Sequence, residues 1–397
     1  MSEFPADWEN GCIGDIAKVV SGYAFQGDDF HDNHQEGVPV VRMSDIQDQG
    51  LNLGSAKRIS NINQEVLRKF QIRQGDLLFG MSGSIEKSAI VNSNQQALLN
   101  QRVGALRSIK ENGNFHAHIF QSERVKSQIL DLAAGGAQLN ISAKQVESIR
   151  IAIPPLPEQK KIAEILSGID KQIFANERQL EKNQRLSKGV LSGILARFKE
   201  ESRDSTRLVE DIFFETSTPE THNSETPLYS LTIEFGLVPK PDRYVRDFLL
   251  TDKEKENYKL ITKGDFVMNP MNLRWGAISA FHKESSAKIS KYYTTFRARD
   301  DRTSVRLYEF LFCSDQYLRL YERIATGSLI EKMRVHWSAF KKLEIPFPSL
   351  EEQKNFESLS SSLELTSSRT KDFIAKLKIF RSAVASDLLS GRKRVSI

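Results

Sequence analysis

The feature that most constrains this chain is a helical stretch that occurs twice. From Ile153 the sequence reads IPPLPEQKKIAEILSGIDKQIFANERQL, and no proline follows Pro157 as far as Lys199. Pro154, Pro155 and Pro157 lock φ and favour an extended lead-in, and Glu158 and Gln159 suit the first turn of a helix. Apolar residues then recur at four- and three-residue steps: Ile162, Leu166, Ile169, Ile173, Leu180, Val190 and Ile194. Asn176, Asn183 and Ser187 fall on the same stripe and give it a polar middle. A helix of about forty residues is roughly 60 Å long, more than one compact domain needs. Heptad spacing with polar seam positions reads as a coiled-coil helix that wants a partner.

The partner is in the same chain. Near the C-terminus stands IPFPSLEEQKNFESLSSSLELTSSRTKDF, and aligning Pro154 with Pro348 sets Glu158 over Glu352 and Gln159 over Gln353. Its stripe is Phe356, Leu359, Leu363, Phe373, Leu377, Phe380 and Val384, with Thr366 and Thr370 as polar seam positions. Both helices end alike, in Val190-Leu191-Ser192-Gly193 and Leu388-Leu389-Ser390-Gly391. Each helix follows a globular segment, so the chain is an internal repeat.

The globular segments repeat as well. In residues 1–153, short apolar runs broken by turns (14–20, 38–46, 77–79, 88–91, 149–153) and helical periodicity over 118–132 predict a twisted sheet with one or two helices. Residues 202–345 follow the same plan, Ile261-Thr262-Lys263-Gly264-Asp265 matching Ile72-Arg73-Gln74-Gly75-Asp76 at an offset of 264 − 75 = 189. The fold class is therefore α+β. Two sheet-containing globular domains are joined by two long helices that pair as a coiled coil, with boundaries 1–153, 154–201, 202–345 and 346–397.

A catalytic inventory comes up empty. Gly80-Met81-Ser82-Gly83-Ser84 is glycine-rich but has no Lys-Ser/Thr at phosphate-loop spacing. Asn269-Pro270-Met271-Asn272 resembles the loop of amino-methyltransferases yet lacks its second proline and its aromatic. Two cysteines make neither a disulfide framework nor a zinc site, and the pairs His31/His34 and His116/His118 read as solvated loop histidines. No cofactor or metal is expected, and no run approaches the ~18 apolar residues of a membrane helix. The acidic N-terminus shows no secretory signal, so the expected location is cytoplasmic. The net charge of +5 permits nucleic-acid binding without demonstrating it.

The IPPLPEQKKIAEIL opening with its weaker copy, the GAQLNIS lead-in, the two Gly-Asp turns and the LSG helix ends resemble the specificity subunits of type I restriction–modification systems. The second half departs from the pattern: Glu351 stands in place of Pro157, and 325–337 keeps little of GAQLNIS. The resemblance implies a non-catalytic DNA reader whose two long helices pack as an antiparallel coiled coil and act as a spacer between two target recognition domains, each reading one half of a split, asymmetric site in double-stranded DNA. It implies further that two modification subunits, which bind S-adenosylmethionine, dock on the helices, and that ATP-dependent restriction subunits join them. The rival readings are a coiled-coil adaptor that binds proteins and an enzyme in its own right.

Base-reading and phosphate-binding side chains in turn-rich stretches give the candidate contacts. In the first domain these are Arg42, Ser44, Lys57, Arg58, Ser82, Ser84, Lys87, Asn100, Gln101, Arg102, Gln138 and Asn140. In the second they are Asn272, Arg274, Trp275, Lys291, Tyr292, Tyr293, Thr294, Arg297, Lys332, Arg334 and His336, with Trp275 and Tyr293 equally readable as core. Arg, Asn and Gln form paired hydrogen bonds with base edges, whereas Lys and Ser more often hold phosphates. Arg392-Lys393-Arg394 reads as a frayed tail, and Phe174, Leu186, Leu191 and Phe198 as partner-facing.

Overall fold

The computed structural model describes residues 4–30, 36–47, 50–60, 62–83, 87–92, 94, 96–133, 139–201, 205–220, 225–240, 258–327 and 333–397. The chain divides into two compact units, Met1–Gln179 with Thr370–Ile397, and Leu180–Arg369. The division cuts both long helices, Leu156–Glu201 and Leu350–Leu389, so each unit takes a half of each.

In the first unit, β1 (Glu9–Cys12) pairs with β6 (Arg150–Ile153), while β2 (Ala17–Ser21), β3 (Leu77–Gly80), β4 (Ser88–Ile90) and β5 (Val103–Ser108) form an antiparallel sheet in the order β2-β5-β3-β4. One face carries Leu77, Phe79 and Leu106 against helices α1 (Phe115–Phe120) and α2 (Glu123–Ala133), and Ile162, Leu166 and Leu388 of the long helices close the same core. The other face carries Leu78, Val103 and Ala105 into a second cluster with Val41 and Ile72. A sheet buried on both faces explains why Leu77-Leu78-Phe79 is continuously apolar instead of alternating.

The second unit repeats this topology strand for strand. There β7 (Thr206–Leu208) pairs with β12 (Glu344–Pro346), and β8 (Phe213–Thr216), β9 (Phe266–Met268), β10 (Ile278–Ala280) and β11 (Thr294–Ala298) lie in the order β8-β11-β9-β10. Its core is aromatic. Phe213, Phe266 and Phe296 pack with Tyr308 and Phe312 of α3 (Val305–Phe312) and with Phe340, together with Leu191, Leu195, Phe198 and Phe356 from the long helices.

The Gly-Asp turns have one mechanism in both units. Gly75 and Gly264 hold φ of +88° and +87°, a left-handed conformation that disfavours any side chain. The following aspartates, buried, accept a fork from a strand arginine. Arg107 Nε and Nη2 reach Asp76 at 2.9 and 2.7 Å, and Arg297 reaches Asp265 at 2.9 and 2.8 Å. The Glu-Gln motif is explained likewise. Gln159 Nε2 donates to the Pro154 carbonyl at 2.8 Å and Gln353 Nε2 to the Pro348 carbonyl at 3.0 Å, so each buried amide closes its own proline lead-in onto the first helical turn.

Within the first unit the two helix halves run antiparallel, since Asp170 pairs with Arg381 at 3.0 Å and Glu177 with Lys378 at 2.8 Å. The seam departs from the apolar stripe. Ile374 is 6% exposed and Arg381 turns inward, whereas Phe373 and Phe380 are 50% and 56% exposed. Likewise Val190 faces out and Leu191 in. The reason is Arg381: its guanidinium bonds Asp170 and approaches His118 Nδ1 at 3.3 Å, an interaction that periodicity counted on apolar residues assigns to the neighbouring phenylalanine.

Three sequence expectations are corrected here. His116 and His118 are 1% exposed on α1, not solvated; His116 meets Asn112 at 3.1 Å, His118 meets Ser167 at 2.9 Å, and His31 and His34 lie outside the described residues. Burial, above all, pushes the His118 imidazole down to about 4. The C-terminal basic run is no frayed tail: Arg394 bonds both oxygens of fully buried Glu158 at 2.7 and 2.8 Å and both of Asp7. Trp8 Nε1 donates to the same Glu158 at 3.1 Å, so both chain ends are tied to the start of the first long helix. Leu191 and Phe198 are buried in the second unit's core, while Phe174 and Leu186 are exposed.

Candidate nucleic-acid interface

In the first unit three loops meet at one end of the β5–β3 pair. The turn Asn100-Gln101-Arg102 precedes β5, and the Asn100 carbonyl accepts the Val103 N–H at 2.8 Å. The Arg102 carbonyl accepts the N–H of Met81, just after β3, at 2.9 Å, and the Met81 carbonyl accepts the N–H of Ile141 at 3.0 Å. Ser82 and Asn140 thereby face each other as a backbone bridge. Gly22 permits this crowding, because a Cβ there would stand 2.0 Å from the Asn100 carbonyl oxygen.

Arg42 joins this rim through the Asn100 N–H, which donates to Val41 at 3.2 Å. Its guanidinium Nε lies 3.7 Å from the buried Asp45 carboxylate, which also takes the hydroxyl of exposed Ser44 at 3.1 Å. Lys57 is exposed beside Val40, and Arg58 donates to the Gly37 carbonyl at 2.8 Å. Lys87 is exposed across from Gly80, and Gln101, Arg102 and Asn140 are also exposed. Ser84, Gln138 and Lys332 lie outside the described residues. Sequence reasoning passed over Tyr23, which is 40% exposed, bridges Asn100 and leans on Phe25 and Phe70. An aromatic set in the turn-rich SGYAFQGDDF was the available signal.

The second unit builds the same corner. Thr294 pairs with Met268, so the turn carrying Lys291, Tyr292 and Tyr293 borders the loop that starts at Asn269. Val335 N–H donates to the Pro270 carbonyl at 2.9 Å, which brings Arg334 and His336, both exposed, beside Asn272, Arg274 and Trp275. Arg274 stands 5.1 Å from the Trp275 ring and touches Met333 Sδ at 3.6 Å. Trp275 is 51% and Tyr292 79% exposed, so neither is core, whereas Tyr293 is partly buried against Tyr229 and Phe281. Arg297 lies within β11 with its fork on Asp265, which gives it a structural task instead of a place on the rim.

The exposed polar side chains of this corner are groups that can bind. Cys313 lines a cleft of about 420 Å³ beside β10, and its thiol donates to the Ile278 carbonyl at 3.5 Å. Among the described residues no group of three His, Cys, Asp or Glu is arranged to hold a metal ion, and no helix is long and apolar enough to cross a membrane.

Residues 5–184 match the type I restriction modification DNA specificity domain. Over its whole length the chain is 24% identical to a Methanocaldococcus jannaschii protein assigned as the type I restriction enzyme MjaX specificity subunit, covering 96% of that protein. It is 26% identical to the Escherichia coli EcoBI specificity subunit over 48% of this chain and 38% of the other. The fold matches the S subunit of a type I restriction–modification system from M. genitalium with a TM-score of 0.58 at 15% identity, covering 98% of each chain. The sequence match thus defines a DNA specificity domain, and the structural match shows the same fold over nearly the whole chain. Residues 5–184 carry that DNA specificity domain, and along its whole length the chain is similar to a type I restriction enzyme specificity subunit.

Proposed function

We propose that this chain is the non-catalytic DNA reader of a type I restriction–modification complex and that its two units are two target recognition domains. Each rim contacts one half-site, and because Asn-Gln-Arg and Ser-Lys-Tyr occupy the corresponding turns, the two half-sites differ. The long helices set the gap between them and present apolar residues such as Phe174 and Phe373 to two modification subunits, to which restriction subunits are added. The complex acts on double-stranded DNA in the cytoplasm.

The observation that carries this reading is the duplicated corner. One topology, 2-5-3-4 and 8-11-9-10 in strand order, presents the same three loops twice with different side chains. A structural scaffold has no need of two matched rims, one exposing Gln101, Arg102 and Asn140 and the other Lys291, Tyr292 and Arg334, whereas base recognition requires such groups. The test is a gel shift with the chain reconstituted with its modification subunits, over a library of duplexes with two randomised blocks and a varied gap. Selection of a bipartite, non-palindromic sequence is the expected outcome. Binding indifferent to sequence would refute the reading.

A further inference from the structure

The two rims can be matched residue by residue, and the match singles out one position. In the first unit Ile141 is 3% exposed and its N–H bonds the residue directly after the loop-side end of β3, Met81. In the second unit Val335 is fully buried and its N–H bonds Pro270, two residues beyond β9. Met81 and Pro270 correspond, since 270 − 81 = 189 is the offset of the Gly-Asp turns. After each anchor comes the N-cap of a short helix, Ser142 ahead of Ala143–Glu147 and His336 ahead of Trp337–Phe340. Before each anchor stands one exposed side chain: Asn140 in the first unit, Arg334 in the second.

Both side chains are set on backbone that is bonded on two sides. Asn140 bridges Ser82, with Gly83 N–H bonded to Leu139 at 2.8 Å; Arg334 exchanges two 2.9 Å bonds with Thr326. A buried anchor one residue later fixes which way the chain presents the exposed group. Little backbone ordering entropy therefore remains to be lost on binding.

We infer that Asn140 and Arg334 are the equivalent specificity-determining positions of the two units, Asn140 reading an adenine and Arg334 a guanine. The inference rests on the DNA-reading function proposed above. An amide matches the N6 donor and N7 acceptor of adenine, and a guanidinium fork matches O6 and N7 of guanine, each through two hydrogen bonds. The discrimination at stake is about ten- to hundredfold per base pair.

The test uses the complete complex carrying Asn140→Ala, Arg334→Ala or Arg334→Lys, with the methylated motif mapped across genomic DNA. The expected result is that each variant relaxes one base pair, Asn140→Ala in one half-site and Arg334→Ala in the other, leaving the remaining positions unchanged. Arg334→Lys keeps the charge but loses the fork, so it should modify DNA while no longer requiring that guanine. A motif unchanged in every position, whether modification is equal or evenly weaker, would overturn the inference and assign these groups to phosphate or to solvent. Relaxation in the same half-site by both residues would overturn it too. A wild-type complex that yields no bipartite motif would instead overturn the underlying reading.

Discussion

Arg107 and Arg297 are corresponding residues, and they show how a basic side chain in this fold is spent on structure. Each closes a fork on an aspartate that is 2–3% exposed. Arg107→Ala leaves Asp76 buried and unpaired, so it should lower stability by about 3 kcal/mol in urea denaturation. Arg297→Ala should destabilise in the same direction while leaving the methylated motif unchanged, in contrast to Arg334→Ala. His118 makes a separate pH prediction. Its folded pKa of about 4 lies below the unfolded value of 6.5, so between those values the unfolded chain binds the extra proton. Its contribution is intact above pH 6.5 and is lost as the pH falls towards 4, by roughly 1.4 kcal/mol per pH unit. Denaturation at pH 7 and pH 5 measures this, and His118→Gln should flatten the difference.

At the scale of the element, the second long helix keeps Phe356, Leu359 and Leu363 packed as its apolar stripe requires but turns one position away from that stripe over 373–381. Ile374→Ala should cost about 2 kcal/mol or more in urea unfolding, because it empties a buried seam position. Phe373→Ala, on the exposed side, should stay within about 0.5 kcal/mol. If the two costs were reversed, the seam would follow the apolar count after all. The helix starts are more regular: Gln159 and Gln353 each close a proline lead-in, and that recurrence was visible as two Glu-Gln pairs at one spacing. Their reason was not visible, because a glutamine that folds back on its own carbonyl leaves no mark in periodicity.

For the molecule as a whole, deleting seven residues from each long helix in register should change the permitted gap between half-sites and leave both half-site sequences as they were. Motif mapping on genomic DNA reads this directly. Affinity should also fall steeply with salt, by a slope of about −0.9 for every phosphate neutralised, in a titration of the complex. The sequence by itself determined the two long helices, the repeated head-plus-helix plan and part of the strands, missing β1 and the central β5, since hydrophobic period, glycine turns and proline breaks are local properties. Only the tertiary structure decided that Arg394 holds buried Glu158, that His118 is buried beside Arg381, and that Asn140 meets Ser82 on the rim. Those contacts join residues 58 to 263 positions apart, and a bond across such a separation is selected by packing of the finished fold, which no local pattern records.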